Sequence, residues 1–202
     1  MSKGKLFIVS GPSGSGKDTI LGKVFARHPE IKLSISSITR AMREGEKEGE
    51  KYHFITREEF EGLIANDELL EHNVFVDNYY GTPRRPVEQA LTEGTDMIVE
   101  IDVNGAAQVR AKRPDAISIF IMPPSFRELK RRLSNRGTES EELVEKRLSA
   151  ALGEIARATE YDYIVVNDVI DEAVDDVLSI ILSERLRLDR QKEIINEVLE
   201  KC

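Results

Sequence analysis

Residues 6–27 read LFIVSGPSGSGKDTILGKVFAR, and the fold follows from this stretch. Leu6-Phe7-Ile8-Val9 is apolar at every position. A strand of that kind has both faces covered, as in parallel sheets flanked by helices. Gly11-Pro12-Ser13-Gly14-Ser15-Gly16-Lys17 follows at once, and residues 17–27 carry a helical pattern. This is the G-x-x-x-x-G-K pattern in the strand–loop–helix context it requires. The glycines let successive backbone N–H groups turn inward around phosphate oxygens, and the helix N-terminus adds its positive end. Lys17 has the reach to touch β and γ phosphates. The loop residues from Gly11 to Lys17, with Asp18 and Thr19, are therefore expected to bind the phosphates of ATP.

One position departs from the pattern. Ser or Thr normally follows the lysine and binds Mg²⁺; here Asp18 stands there, with Thr19 next. A carboxylate is a hard oxygen ligand suited to Mg²⁺, and an acid at a helix start can also cap it. The expectation is Asp18 in the metal's shell and Thr19 on a phosphate.

Further short apolar runs recur at residues 33–36, 97–102, 116–122 and 162–167, with helical stretches between them. That alternation predicts an α/β fold with a central parallel sheet, three layers deep. Two segments break the rhythm. Residues 37–86 are charged and aromatic, with weaker strand signals at residues 52–55 and 69–76, and read as an inserted lobe. Residues 125–158 are rich in Arg and Glu, with a break near residues 135–138, and read as a helical lid. The core is then residues 1–36, 87–124 and 159–202, and residues 170–201 form a charged helical tail.

Composition narrows the function. The chain has 202 residues, formal net charge -8 and a single cysteine, Cys202. An acidic chain is poorly suited to coating nucleic acid. No apolar run approaches a membrane span, no signal peptide is visible at the start, and no internal disulfide can form. A cytoplasmic protein is expected. His28, His53 and His72 lack metal-ligand spacing.

The inserted segments carry a resemblance. Residues 36–46 read SSITRAMREGE, and Tyr52-His53-Phe54 follows. These resemble the guanylate kinase pattern S-x-T-T-R-x-P-R-x-G-E followed by D-Y-x-F. Glu71, Asn78-Tyr79-Tyr80-Gly81-Thr82, Ile101-Asp102-Val103-Asn104-Gly105, Arg132 with Arg136, Lys146-Arg147-Leu148 and Val166-Asn167-Asp168 match later motifs of that family in order. The likeness covers nearly the whole chain. Ile38 replaces a usual threonine, Met42 a usual proline and Lys51 a usual aspartate. Met42 loosens the turn between Arg40 and Arg43.

The resemblance implies ATP-dependent, Mg²⁺-assisted phosphorylation of GMP, and of dGMP, by direct in-line transfer. It assigns the GMP phosphate to Arg40, Arg43, Tyr52 and Tyr80, whose donors suit phosphate oxygens. It assigns the guanine N1–H and 2-amino donors to Glu71, with Asp102 beside the 2-amino group, and the remaining base edge to Ser36 and Thr82. Lys17, Arg40, Arg132, Arg136 and Arg147 would carry the charge of transfer, and adenine would rest near Asn167 and the lid. One of Tyr79 and Tyr80 is expected to be a core aromatic instead. Two other readings stay open: a kinase acting on AMP, UMP or CMP, and a non-catalytic protein-binding module of the same fold. Neither the monomer nor the homodimer is favoured.

Overall fold

A computed structural model describes residues 3–134 and 141–200. Among them, strands fall into two sheets. The first has the order β2-β7-β1-β8-β9 and is parallel throughout. Its strands are β1 (Leu6–Ser10), β2 (Lys32–Leu33), β7 (Met97–Glu100), β8 (Ile117–Met122) and β9 (Tyr163–Val166).

The apolar run of β1 splits between two cores. Phe7 and Val9 pack with Ile20, Leu21 and Val24 of α1 (Lys17–Arg27) and with Val174, Val177 and Ile181 of α7 (Ile170–Arg185). Leu6 and Ile8 pack on the other face with Val87 and Leu91 of α3 (Arg84–Thr92) and Ala106 and Val109 of α4 (Val103–Lys112). Two-sided burial is thus the physical reason for the unbroken hydrophobic pattern. It leaves the loops after β1 and β7 at one edge, where ligands of such sheets bind.

The second sheet has the order β4-β3-β6-β5. It comprises β3 (Ser36–Ile38), β4 (Tyr52–Phe54), β5 (Leu69–Phe75) and β6 (Asn78–Pro83), with α2 (Arg57–Ala65) alongside. Thr56 caps α2 in a capping box with Glu59. The strand expected over residues 33–36 is two strands: Leu33 ends one in the main sheet, and Ser36 begins another in the second. β6 was not visible as a strand, because Asn78, Gly81 and Pro83 obscure its pattern. Its antiparallel pairing with β5 supplies what local propensity does not.

Helices α5 (Phe126–Ser134) and α6 (Glu141–Ala156) pack through Leu129, Leu133, Val144 and Leu148 over the glycine loop. The tail is two helices. α7 lies against the sheet, and α8 (Leu188–Glu200) is tied down by Arg190, 3.4 Å from the buried Asp96. Among the described residues no helix is long and apolar enough to cross a membrane.

Candidate active site

The glycine loop bends through left-handed backbone at Gly14 and Gly16, with φ of 85° and 91°. A side chain at Gly16 would be excluded twice over. Its φ is unfavourable to L-residues, and its Cβ would lie 2.3 Å from Asn167 Nδ2. Gly16 also caps α1 without a side-chain hydrogen bond, so phosphate oxygens can meet the first amides of the helix. Lys17 Nζ folds back on the loop, donating to the Gly11 carbonyl at 2.5 Å and the Pro12 carbonyl at 3.4 Å. Burial pulls its pKa down, partly offset by the charges of Glu100, Glu154 and Asp18.

Asn167 is 2 % exposed, and Nδ2 donates to the Ser15 carbonyl at 2.7 Å. Its own carbonyl accepts from Arg132 Nη2 at 3.0 Å. Asn167 therefore braces the loop from beneath. Arg132 is further held by Glu128 at 2.8 Å. Arg147 donates to Ser13 Oγ at 2.8 Å. Two expected lid arginines thus reach the loop; Arg136 lies outside the described residues.

A cavity of ≈ 360 Å³ lies between the second sheet and the carboxyl edge of the first. Ser36, Arg40, Arg43, Tyr52, Glu71, Tyr80 and Asp102 line it. Seven residues drawn from positions 36 to 102 of the sequence therefore converge. A second cavity of ≈ 340 Å³ opens on Gly11, Ser13, Lys17 and Asp18. The two share Ser36, Tyr52, Glu100, Ile101 and Asp102 as walls. A larger cavity of ≈ 640 Å³ sits near Lys5 and Asp115, at the amino ends of β1 and β8, and contains none of the expected residues.

Glu71 is 4 % exposed. Thr82 Oγ1 donates to its Oε1 at 2.7 Å. Thr82, wholly buried, thus orients the carboxylate. Burial pushes the Glu71 carboxyl up to about 7; the Thr82 hydrogen bonds pull it down and the charge of Asp102 adds to the rise. Glu71 is a buried carboxylate with no salt bridge among the described residues, so it wants external donors. A Cβ on Gly105 would approach Glu71 Oε2 to 2.8 Å, so glycine there makes room for the carboxylate.

Asp102 caps α4, accepting from the N–H groups of Asn104 and Gly105 at 2.9 and 2.8 Å. Its other oxygen accepts from Asn73 Nδ2 at 2.8 Å. Arg40 is gripped by Glu46 at 2.7 and 2.6 Å and lies 5.4 Å over the Tyr52 ring. That bidentate hydrogen bond drives Glu46 down to about 2. Glu46 also accepts from the backbone N–H of Arg43 at 2.8 Å. The turn that Met42 was expected to loosen is therefore tied by Glu46. Of the two tyrosines, Tyr79 stacks on the buried Phe60 at 5.0 Å, and Tyr80 faces the cavity.

Asn73, Glu46, Glu100 and Lys51 were not anticipated as site residues. Glu100 carried a readable signal: a charge ending the apolar strand Met97–Glu100, at the edge where ligands bind. Asn73 carried none, since its role depends on strand pairing. Asp18 is exposed, with its carboxylate on Lys51; burial opposes the Lys51 charge, but Asp18 and Glu100 outweigh it and raise its pKa. Among the described residues no group of three His, Cys, Asp or Glu could hold a metal by itself.

Comparison with known proteins gives the family. The family model described as guanylate kinase matches residues 3–184. A guanylate kinase of Oceanobacillus iheyensis is 49% identical, over 98% of this chain and 96% of its own. One of Desulfitobacterium hafniense is 47% identical, over 96% and 98%. The crystal structure of guanylate kinase from Anaplasma phagocytophilum superposes with a TM-score of 0.75 at 37% identity, covering 94% of this chain and 90% of that one.

Proposed function

The chain belongs to the guanylate kinase family, an ATP-dependent enzyme that phosphorylates GMP to GDP, and we propose how its own residues divide that work. The observation that carries the reading is Glu71. It is a buried carboxylate with an elevated pKa, beside Asp102, in a cavity that shares a wall with the glycine loop. Guanine offers two adjacent donors, N1–H and the 2-amino group, and a carboxylate accepts both. Adenine, cytosine and uracil have no such paired donor edge, so they would leave Glu71 buried and unmatched.

Arg40, Arg43, Tyr52 and Tyr80, which line the cavity, bind the GMP phosphate. Gly11 to Lys17 and Thr19 hold the phosphates of ATP. A GMP phosphate oxygen then attacks the γ-phosphorus as the bond to the bridging oxygen of ADP breaks. The attacking oxygen is already ionised, so no general base is needed. Lys17, Arg40, Arg132, Arg136 and Arg147 stabilise the charge of the transferring group. Asp18 would hold the Mg²⁺ that accompanies ATP. A single carboxylate joined by phosphate oxygens is a usual magnesium environment, and the ion supplies charge neutralisation there. Residues 125–158 act as the lid and residues 37–86 as the GMP lobe. The substrates are small nucleotides, dGMP included, and the compartment is the cytoplasm.

A coupled assay with ATP, Mg²⁺ and each of GMP, AMP, UMP and CMP tests the assignment. Turnover with GMP alone is expected. Turnover with another monophosphate in preference to GMP would overturn the substrate, and turnover with none would favour a binding module.

Glu71 also predicts a pH profile. Donors from guanine favour its charged form, so GMP binding releases a proton wherever the free carboxyl is protonated. The Kd for GMP should be flat above about pH 8 and rise as pH falls through 7, toward tenfold per unit. The phosphate of GMP titrates near 6 as well, so calorimetry on Glu71→Gln provides the reference. A profile identical in the two proteins would show that Glu71 does not titrate on binding.

A further inference from the structure

Asp18 and Lys51 are both departures from what their motifs lead one to expect: an aspartate for Ser or Thr, and a lysine for aspartate. They lie 33 positions apart and meet in space. Lys51 Nζ donates to Asp18 Oδ1, and the same ammonium is 3.2 Å from Glu100 Oε2. Three parts of the fold join there. Asp18 is in the first turn of α1, Glu100 ends β7, and Lys51 immediately precedes β4 of the inserted lobe. The Lys51 carbonyl accepts from the Ser36 N–H at 3.2 Å, so its backbone belongs to the second sheet. The GMP cavity has Arg40 and Tyr52 of the lobe on one side and Glu100 and Asp102 of the core on the other. Its width therefore depends on how the lobe sits on the core, and Lys51 spans that gap.

We propose that Lys51 is a positioning residue that latches the GMP-binding lobe to the phosphate loop through Asp18 and Glu100, so that the two nucleotide sites influence one another. The latch rests on the GMP assignment above. The two departures are matched. An aspartate at position 51 would face the carboxylates of Asp18 and Glu100 and push the lobe away, whereas lysine draws it in. Asp18 is 76% exposed and Glu100 only 12%. An exposed pair shifts an equilibrium by about two- to fivefold; the more shielded Glu100 adds to what Lys51 contributes.

The test is GMP binding to the full chain by calorimetry, without ATP or Mg²⁺. Lys51→Met should weaken GMP binding about fivefold. Asp18→Asn should weaken it about twofold to threefold, although Asp18 lines no part of the GMP cavity. The double variant should be no weaker than Lys51→Met alone. Lys51→Asp should lose about tenfold or more, and adding Asp18→Ser should restore most of it. Lys51→Arg, which keeps the charge, should stay within about twofold of the parent and guards against a mere packing defect. High salt should shrink every difference, since the pair is partly exposed. If Asp18→Asn leaves GMP affinity unchanged, or if the single losses multiply in the double variant, the latch is wrong. If the parent protein fails to bind GMP, the substrate assignment falls first and takes the latch with it.

Discussion

Glu71→Gln is expected to lower kcat/KM for GMP by about 10³-fold, a loss of about 4 kcal/mol of recognition. The loss should fall mostly on KM, because the base lies away from the reacting phosphate and is bound alike in ground and transition states. Glutamine presents one acceptor and one donor where guanine requires two acceptors. It therefore loses one hydrogen bond, sets donor against donor and removes the charge that strengthened both. Binding of ATP should stay within about twofold, because Glu71 lines the GMP cavity and not the loop cavity.

The same substitution should stabilise the free enzyme. Burial lifts the Glu71 carboxyl to about 7 from an ordinary 4.5, so the native state holds a proton that the unfolded state has lost between those values. Stability therefore falls as pH rises through that window, and the full penalty is present above 7. Glutamine keeps the shape without the penalty. At pH 8 the variant should gain about 1–3 kcal/mol, a few degrees in Tm; at pH 5 the gain should nearly vanish. A variant that loses GMP while melting higher at pH 8 identifies Glu71 as a strained recognition group. Equal losses in GMP and ATP binding, or a lower Tm, would make it a structural residue.

Lys17→Met should lower the rate of phosphoryl transfer by about 10³-fold. The ammonium rests on the Gly11 and Pro12 carbonyls and is positioned to meet phosphate oxygens instead. Around it stand Glu100, Glu154 and Asp18, with Lys51 of like charge, so its removal makes the loop cavity more negative and less favourable to the phosphates of ATP. Loss of a preorganised charge at a phosphoryl centre typically costs two to five powers of ten. Methionine matches the length of the lysine stem, and burial already disfavours the Lys17 charge. The fold should therefore hold, with Tm unchanged or slightly raised. Single-turnover transfer and calorimetric GMP binding separate the cases: transfer should collapse while GMP affinity stays within about threefold. A fall in transfer of less than tenfold would remove Lys17 from charge stabilisation.

The glycine loop was readable because all its requirements are local. Glycines at tight backbone positions, a lysine and a helix start lie within a dozen residues, and each serves the phosphates through backbone geometry alone. Residues 36–46 were readable as a motif, but the function of Glu46 within it was not. Its grip on both Arg40 and the Arg43 backbone depends on how the turn closes. Tyr79 and Tyr80 show the same limit at closer range. Adjacent residues on a strand point to opposite faces, so one had to stack on Phe60 and the other to face the cavity. Sequence alone could not say which was which.

The GMP-site residues were implied by resemblance to the guanylate kinase motifs, whereas the sequence by itself determined the parallel core and the phosphate loop. Those features depend on periodicity and short spacing, which the chain carries wherever it is placed. The tertiary structure decided how far-separated side chains use one another. Asn167 braces the loop, Thr82 orients Glu71, and Asn73 holds Asp102. Lys51 and Asp18 form a charge pair across 33 positions. Such roles are settled by distances across the cleft, where electrostatic and hydrogen-bond energies fall off within a few ångströms. No order of residues along the chain specifies those distances until the two sheets are packed.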